Sequence, residues 1–148
     1  MLIITAPGQG AQTPGFLAPW LELPGVAERL GSASELAGCD LVRFGTTASA
    51  DEIKDTAVAQ PLLVAAAIVA ASALSSSSAG SGGSGGDVPA DAAAGHSVGE
   101  LAAGVIAGVL DYPEVFWFAA ACAALGGLLA AANSPRARGV IADIGFPP

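Results

Sequence analysis

Residues 95–99 read Gly-His-Ser-Val-Gly, a serine with a glycine two positions away on each side. This spacing restricts the fold more than any other feature of the chain. A serine at a sharp strand-to-helix corner is strained, and a side chain at either glycine would clash with the neighbouring strand or helix. Ala92-Ala93-Ala94 before the corner is therefore read as a short strand, although alanine has low strand propensity. Residues 98–110 after it form a helix, broken by Asp111-Tyr112-Pro113. At such a corner Ser97 Oγ projects at the helix N-terminus, where the Val98 N–H and the helix dipole favour an anionic oxygen.

A second strand-then-glycine unit opens the chain. Leu2–Ala6 is a short apolar run that stops at Pro7-Gly8, and the loop Gly8–Gly15 follows. The loop lacks a dinucleotide fingerprint, because Thr13 stands where the third glycine belongs and no acidic residue ends a following strand. What remains is a strand followed by backbone N–H groups that are free to bind an anionic oxygen. Phe16–Leu23 reads as a helix closed by Pro24-Gly25, and Val26–Leu36 as a second helix ended by Gly38. Leu41–Gly45 reads as irregular or a strand fragment, and Ser49-Ala50-Asp51-Glu52 has capping-box spacing that starts a single helical turn. Thr56–Leu74 is the strongest helix, with Pro61 near its start and apolar residues nearly all round, which predicts burial. The Ser/Gly tract from Ser75 to Gly86 is expected to be a flexible surface loop within 75–91, and Glu114–Ala132 a further apolar helix.

Composition excludes several classes of function. Apolar residues make up 53% of the chain, but alanine is the commonest of them and aromatics are only 5%, so a single modest core is expected. Five basic residues against thirteen acids give a net charge of −8, which excludes the basic footprint of a nucleic-acid binder. Cys39, Cys122 and the single His96 have neither disulfide-framework nor metal-ligand spacing, so a reduced, cytoplasmic setting with no metal is expected. Val115–Ala132 is 18 residues without a charge, but its alanine and glycine content favours a buried helix over a membrane span. Met1-Leu2-Ile3-Ile4 lacks the positive region of a signal peptide.

Three segments then carry a resemblance. Ala6-Pro7-Gly8-Gln9-Gly10-Ala11-Gln12, Gln60-Pro61-Leu62-Leu63 and Gly95–Glu100, in this order and spacing, resemble the malonyl-CoA:acyl-carrier-protein transacylase family, which includes acyltransferase domains of polyketide synthases. The resemblance implies an α/β fold in which a partial parallel sheet is flanked by helices. Residues 1–114 would be the N-terminal part of an acyltransferase domain, within its α/β-hydrolase-like large subdomain. It implies that Ser97 attacks the thioester of malonyl-CoA and that the backbone N–H groups of Gln12 and Val98 hold the oxyanion. Gln60 would line the site from behind. The malonyl group would pass to acyl carrier protein in cytoplasmic fatty-acid biosynthesis, with no cofactor beyond malonyl-CoA as substrate. Because Met1 leads directly into the first strand, the chain resembles the stand-alone enzymes more than an excised synthase domain.

The chain departs from the family pattern in two places. The family activates its serine with a downstream histidine, and this chain has none after His96. His96 itself adjoins Ser97 on a sharp turn and is read as a packed turn residue. The family also places an arginine for the malonyl carboxylate at the position of Cys122, yet no arginine lies between Arg43 and Arg136. Codons for Ala120-Ala121-Cys122-Ala123-Ala124, read one base out of register, permit Arg-Leu-Arg-Gly. The expectation is therefore a truncated chain with a divergent or frameshifted tail over 115–148, impaired in malonyl transfer. The alternatives are a non-catalytic fragment or a serine esterase of the α/β-hydrolase type.

Overall fold

The computed structural model describes residues 1–78, 90–111 and 113–116. Among these residues, β1 (Ile3–Ala6) and β2 (Ala92–Gly95) form a two-stranded parallel sheet, in register from Ile3 opposite Ala92 to Ala6 opposite Gly95. The pairing extends one step earlier. The Asp91 N–H donates to the Leu2 carbonyl at 2.8 Å, and the Leu2 N–H donates to the Asp91 carboxylate at 2.6 Å. A strand of three alanines and a glycine is thus held by its ladder and its neighbours, against its propensity.

Parallel strands require a long crossover. Here it contains a 3-10 turn (Ala18–Glu22), α1 (Val26–Ala37), α2 (Leu41–Thr46), a second 3-10 turn (Glu52–Lys54) and α3 (Thr56–Ser78). After β2 comes α4 (Gly99–Ile106), packed on both strands and on α3. This is the expected α/β arrangement of a partial parallel sheet flanked by helices. Its core joins Leu17, Leu30, Leu41, Ile53, Leu62, Val64, Val69 and Phe116, all fully buried. Each large side chain removed from water contributes about 1.5–3 kcal/mol, so these few anchors stabilise an otherwise alanine-rich interior.

α1 follows the sequence reading. Val26, Leu30 and Ala33 form its buried stripe, and Gly38 closes it in the left-handed region at φ 66°. Four readings need correction. Residues 41–46 are helical, because the Asp40 carboxylate accepts the Arg43 N–H at 2.9 Å and caps the first turn. The Phe16–Leu23 segment forms only the 3-10 turn Ala18–Glu22, confined between Gly15 at φ 75° and the Pro24-Gly25 break. α4 stops at Ile106, short of Leu110. Gly108 turns the chain at φ 69°, and the Val109 and Leu110 N–H groups fold back to the Gly104 carbonyl at 2.8 and 3.1 Å. Pro61 is the sixth residue of α3, so it lies past the first turn and leaves the Ala57 carbonyl without its helical donor.

α3 also differs from expectation at its end and on its surface. Its start is capped by Asp55, whose carboxylate accepts the Ala57 N–H at 2.9 Å. The helix continues through Ser78, so the first residues of the 75–91 tract are helical. The span Thr56–Leu74 is long and apolar enough to cross a membrane by length and composition, yet it packs here as a core helix with half its length buried. Its other side, with Ile4, Phe16 and Trp20, lines an apolar groove of about 230 Å³. Most of the 75–91 loop, Cys122 and nearly all of the 115–148 tail lie outside the described residues. Of that tail, Val115 and Phe116 are described, and both are buried.

Candidate active site

β2 ends at Gly95 and α4 begins at Gly99, which leaves His96, Ser97 and Val98 to make the corner. Ser97 has φ 56° and is the one non-glycine residue at positive φ among the described residues. Both flanking glycines are required by close approach. A Cβ on Gly95 would run into the Gly99 carbonyl group and the Glu100 nitrogen. A Cβ on Gly99 would run into the Ala6 carbonyl oxygen and lie 2.7 Å from that of Pro7. The first clash is the turn closing on itself, and the second is α4 seated on the end of β1.

Hydrogen bonds fix the corner. The His96 N–H donates to the Ala6 carbonyl at 3.1 Å. The Gly99 and Glu100 N–H groups donate to the His96 and Ser97 carbonyls, each at 3.0 Å. Ser97 is exposed, whereas Val98 is buried beneath it. The Val98 N–H reaches no protein acceptor among the described residues. At a helix N-terminus such a donor favours negative charge.

The loop after β1 comes to the same place. A Cβ on Gly8 would lie 2.6 Å from His96 Nδ1 and 2.8 Å from the His96 carbonyl oxygen, so only glycine lets the loop backbone touch the corner. The Gln12 N–H likewise reaches no protein acceptor among the described residues. Its side chain is anchored at both ends: Oε1 accepts the Gly10 N–H at 2.8 Å and Nε2 donates to the Ile53 carbonyl at 2.9 Å. Gln9 Nε2 donates to the Lys54 carbonyl and to Thr56 Oγ1, both at 3.3 Å. Sequence reasoning missed these side-chain anchors. The available signal was a pair of glutamines on either side of Gly10, a residue at φ 107°.

The turn that receives these glutamines is itself capped. The Ser49 N–H and Oγ–H donate to a Glu52 carboxylate oxygen at 2.9 and 2.8 Å, and the Glu52 N–H reaches back to Ser49 Oγ at 3.4 Å. Arg43 Nη1 donates to the other Glu52 oxygen at 3.0 Å. The Ser49 backbone donor, then its hydroxyl, then Arg43 hold the Glu52 carboxyl down at about 2.

The remaining residues singled out in the sequence are placed as follows. His96 is exposed, with its ring over Gly8. Gln60 lies in α3 with its Oε1 buried and unpartnered, and no hydrogen bond joins it to Ser97, Gln12 or Val98 among the described residues. Of the arginines in the described residues, Arg43 is committed to Glu52 and to the face of Phe44, and Arg29 donates to Ser72 Oγ. Cys39 is a half-buried free thiol, pushed up first by burial and then by Asp40, which suppresses its thiolate. Among the described residues no group of three or more His, Cys, Asp or Glu side chains is placed to share a metal ion.

No family profile matches the chain. The malonyl-CoA–acyl carrier protein transacylase of Mycobacterium tuberculosis is 49% identical over 120 residues, 81% of this chain and 38% of the relative. The chain belongs to the malonyl-CoA:acyl-carrier-protein transacylase family. The crystal structure of the M. tuberculosis enzyme superposes with a TM-score of 0.72 at 48% identity, covering 84% of this chain and 39% of that one. A malonyl transacylase solved in complex with a type II polyketide-synthase acyl carrier protein gives a TM-score of 0.71 at 30% identity, covering 84% of this chain and 38% of that one. The chain thus spans about two fifths of the length of the transacylases it matches.

Proposed function

We propose that this chain carries the nucleophilic and oxyanion-binding part of a malonyl transfer from malonyl-CoA to acyl carrier protein. The observation that carries the reading is the Ser97 corner, strained at φ 56° and touched by the Gly8–Gln12 loop, with the Gln12 and Val98 N–H groups unspent. Ser97 Oγ attacks the thioester carbonyl, its proton leaves to a base, and the negative oxygen settles on the two N–H groups. Collapse expels the coenzyme A thiolate and leaves a malonyl-serine ester. The phosphopantetheine thiol of acyl carrier protein then takes the malonyl group by the reverse steps. Gln60, whose Oε1 is buried without a hydrogen-bond partner, is assigned to line the site from behind. The reaction belongs to cytoplasmic fatty-acid biosynthesis.

The sole histidine, His96, adjoins Ser97 on the sharp turn with Nδ1 beside Gly8, and is read as a packed turn residue and not as the base. Loss of one member of a nucleophile–base unit costs orders of magnitude in rate. The purified chain, given malonyl-CoA and acyl carrier protein, is therefore expected to show trace transfer at most, abolished by Ser97→Ala. A malonyl ester on the Ser97 peptide, raised by added imidazole, supports the reading. Absence of that ester with the fold intact overturns it, and release of malonate without a thiol acceptor points to an esterase.

A further inference from the structure

α3 carries no charged residue from Thr56 to Ser78 and is apolar nearly all round. A helix of that kind belongs in an interior on every side. Only half of its apolar span is buried here. The uncovered side forms a groove of about 230 Å³ with Ile4 and Thr5 of β1, Phe16 and Trp20, its α3 wall running from Leu63 to Leu74. None of the residues that line it is charged, in a chain of net charge −8. Ile4 and Thr5 are consecutive, so their side chains leave β1 on opposite faces. A groove that touches both, and no β2 residue, runs past the edge of β1 that β2 does not occupy. Among the described residues that edge has no partner strand, and two strands are too few for an independently stable sheet.

The relatives supply the scale of what is uncovered: about three fifths of each transacylase lies outside the match. We propose that the groove and the free edge of β1 are the seat of that remaining portion of a transacylase chain, and that this chain binds the portion when it comes as a separate polypeptide. A lipid surface fits less well, because a strand edge bears backbone donors and acceptors that a bilayer does not satisfy. A second copy fits less well, because it brings a further charge of −8 to the encounter. The assignment rests on family membership. Its catalytic consequence rests on the acyl-transfer reading above, since the histidine that the resemblance puts downstream comes with the same portion.

The test co-expresses the whole chain with a tagged polypeptide holding the part of the M. tuberculosis transacylase outside the match. An equimolar complex is expected on the tag, with amide exchange at Ile3–Ala6 slowed about tenfold against the chain alone. Ala70→Glu and Leu74→Glu put a carboxylate on the α3 wall of the groove. Each is expected to weaken the complex about tenfold or more, because the charge would be buried unpaired, while circular dichroism shows helix content kept. No complex, or one that both variants leave intact, overturns the proposal. So does a tagged portion that stays insoluble beside the chain, or a chain that binds phosphatidylcholine vesicles or only itself in its place. Malonyl transfer to acyl carrier protein is then read on the complex. A gain of about a hundredfold or more over the chain alone, abolished by Ser97→Ala, is expected once the base is present. A complex without that gain leaves the groove assigned and overturns the acyl-transfer reading instead.

Discussion

Ser97 occupies a left-handed conformation that costs a side-chain-bearing residue about 1–2 kcal/mol. Ser97→Gly is expected to stabilise the fold by about 1 kcal/mol, read from urea unfolding, while Ser97→Ala keeps the strain and leaves stability nearly unchanged. Gly99→Ala acts in the opposite direction, because its Cβ meets the Ala6 and Pro7 carbonyl oxygens, and a loss of about 3 kcal/mol or more is expected. Glu52 supplies a pH test. Its carboxyl is lowered from 4.5 to about 2 in the fold, so the stabilisation is complete above pH 4.5 and fades as pH falls toward 2. The parent chain should therefore lose more thermal stability between pH 6 and pH 3 than Glu52→Gln does. The glycines around Ser97 were legible because only a steric demand explains their spacing. The Gln12–Ile53 bond was not, because its partners are 41 residues apart and nothing local links them.

Among the elements, α2 is decided by one cap. Leu41–Gly45 has no helical periodicity strong enough to recognise, yet the Asp40 carboxylate bonded to the Arg43 N–H closes its first turn. Asp40→Ala should cost about 1 kcal/mol in unfolding free energy and loosen residues 41–46, visible as faster amide exchange. α1 and the start of α3 were readable from end signals, Gly38 and the 55–56 boundary, because capping is local chemistry. The end of α3 was misread, since serines favour loops only weakly and permit a helix to continue to Ser78.

For the molecule as a whole, the described residues leave apolar surface uncovered. Leu2 and Ile3, at the start of β1, are 43% and 47% exposed, and one side of α3 opens on the 230 Å³ groove. Parallel strands are ordinarily covered on both faces. The isolated chain is expected to self-associate with rising concentration in sedimentation measurements, and Ile3→Lys should reduce this by placing a charge on the strand edge. A monomer at all concentrations would contradict that expectation.

By itself the sequence determined the local grammar of the site: a strand into Gly8, a strand into Gly95, a serine between close glycines, and the order that resembles the transacylases. These follow from steric rules that act over a few residues. Only the tertiary structure decided that β1 and β2 are parallel neighbours, that Gly8 touches His96, and that the 52–56 turn holds the glutamines. Those contacts join residues far apart in the chain, and packing of the core selects them.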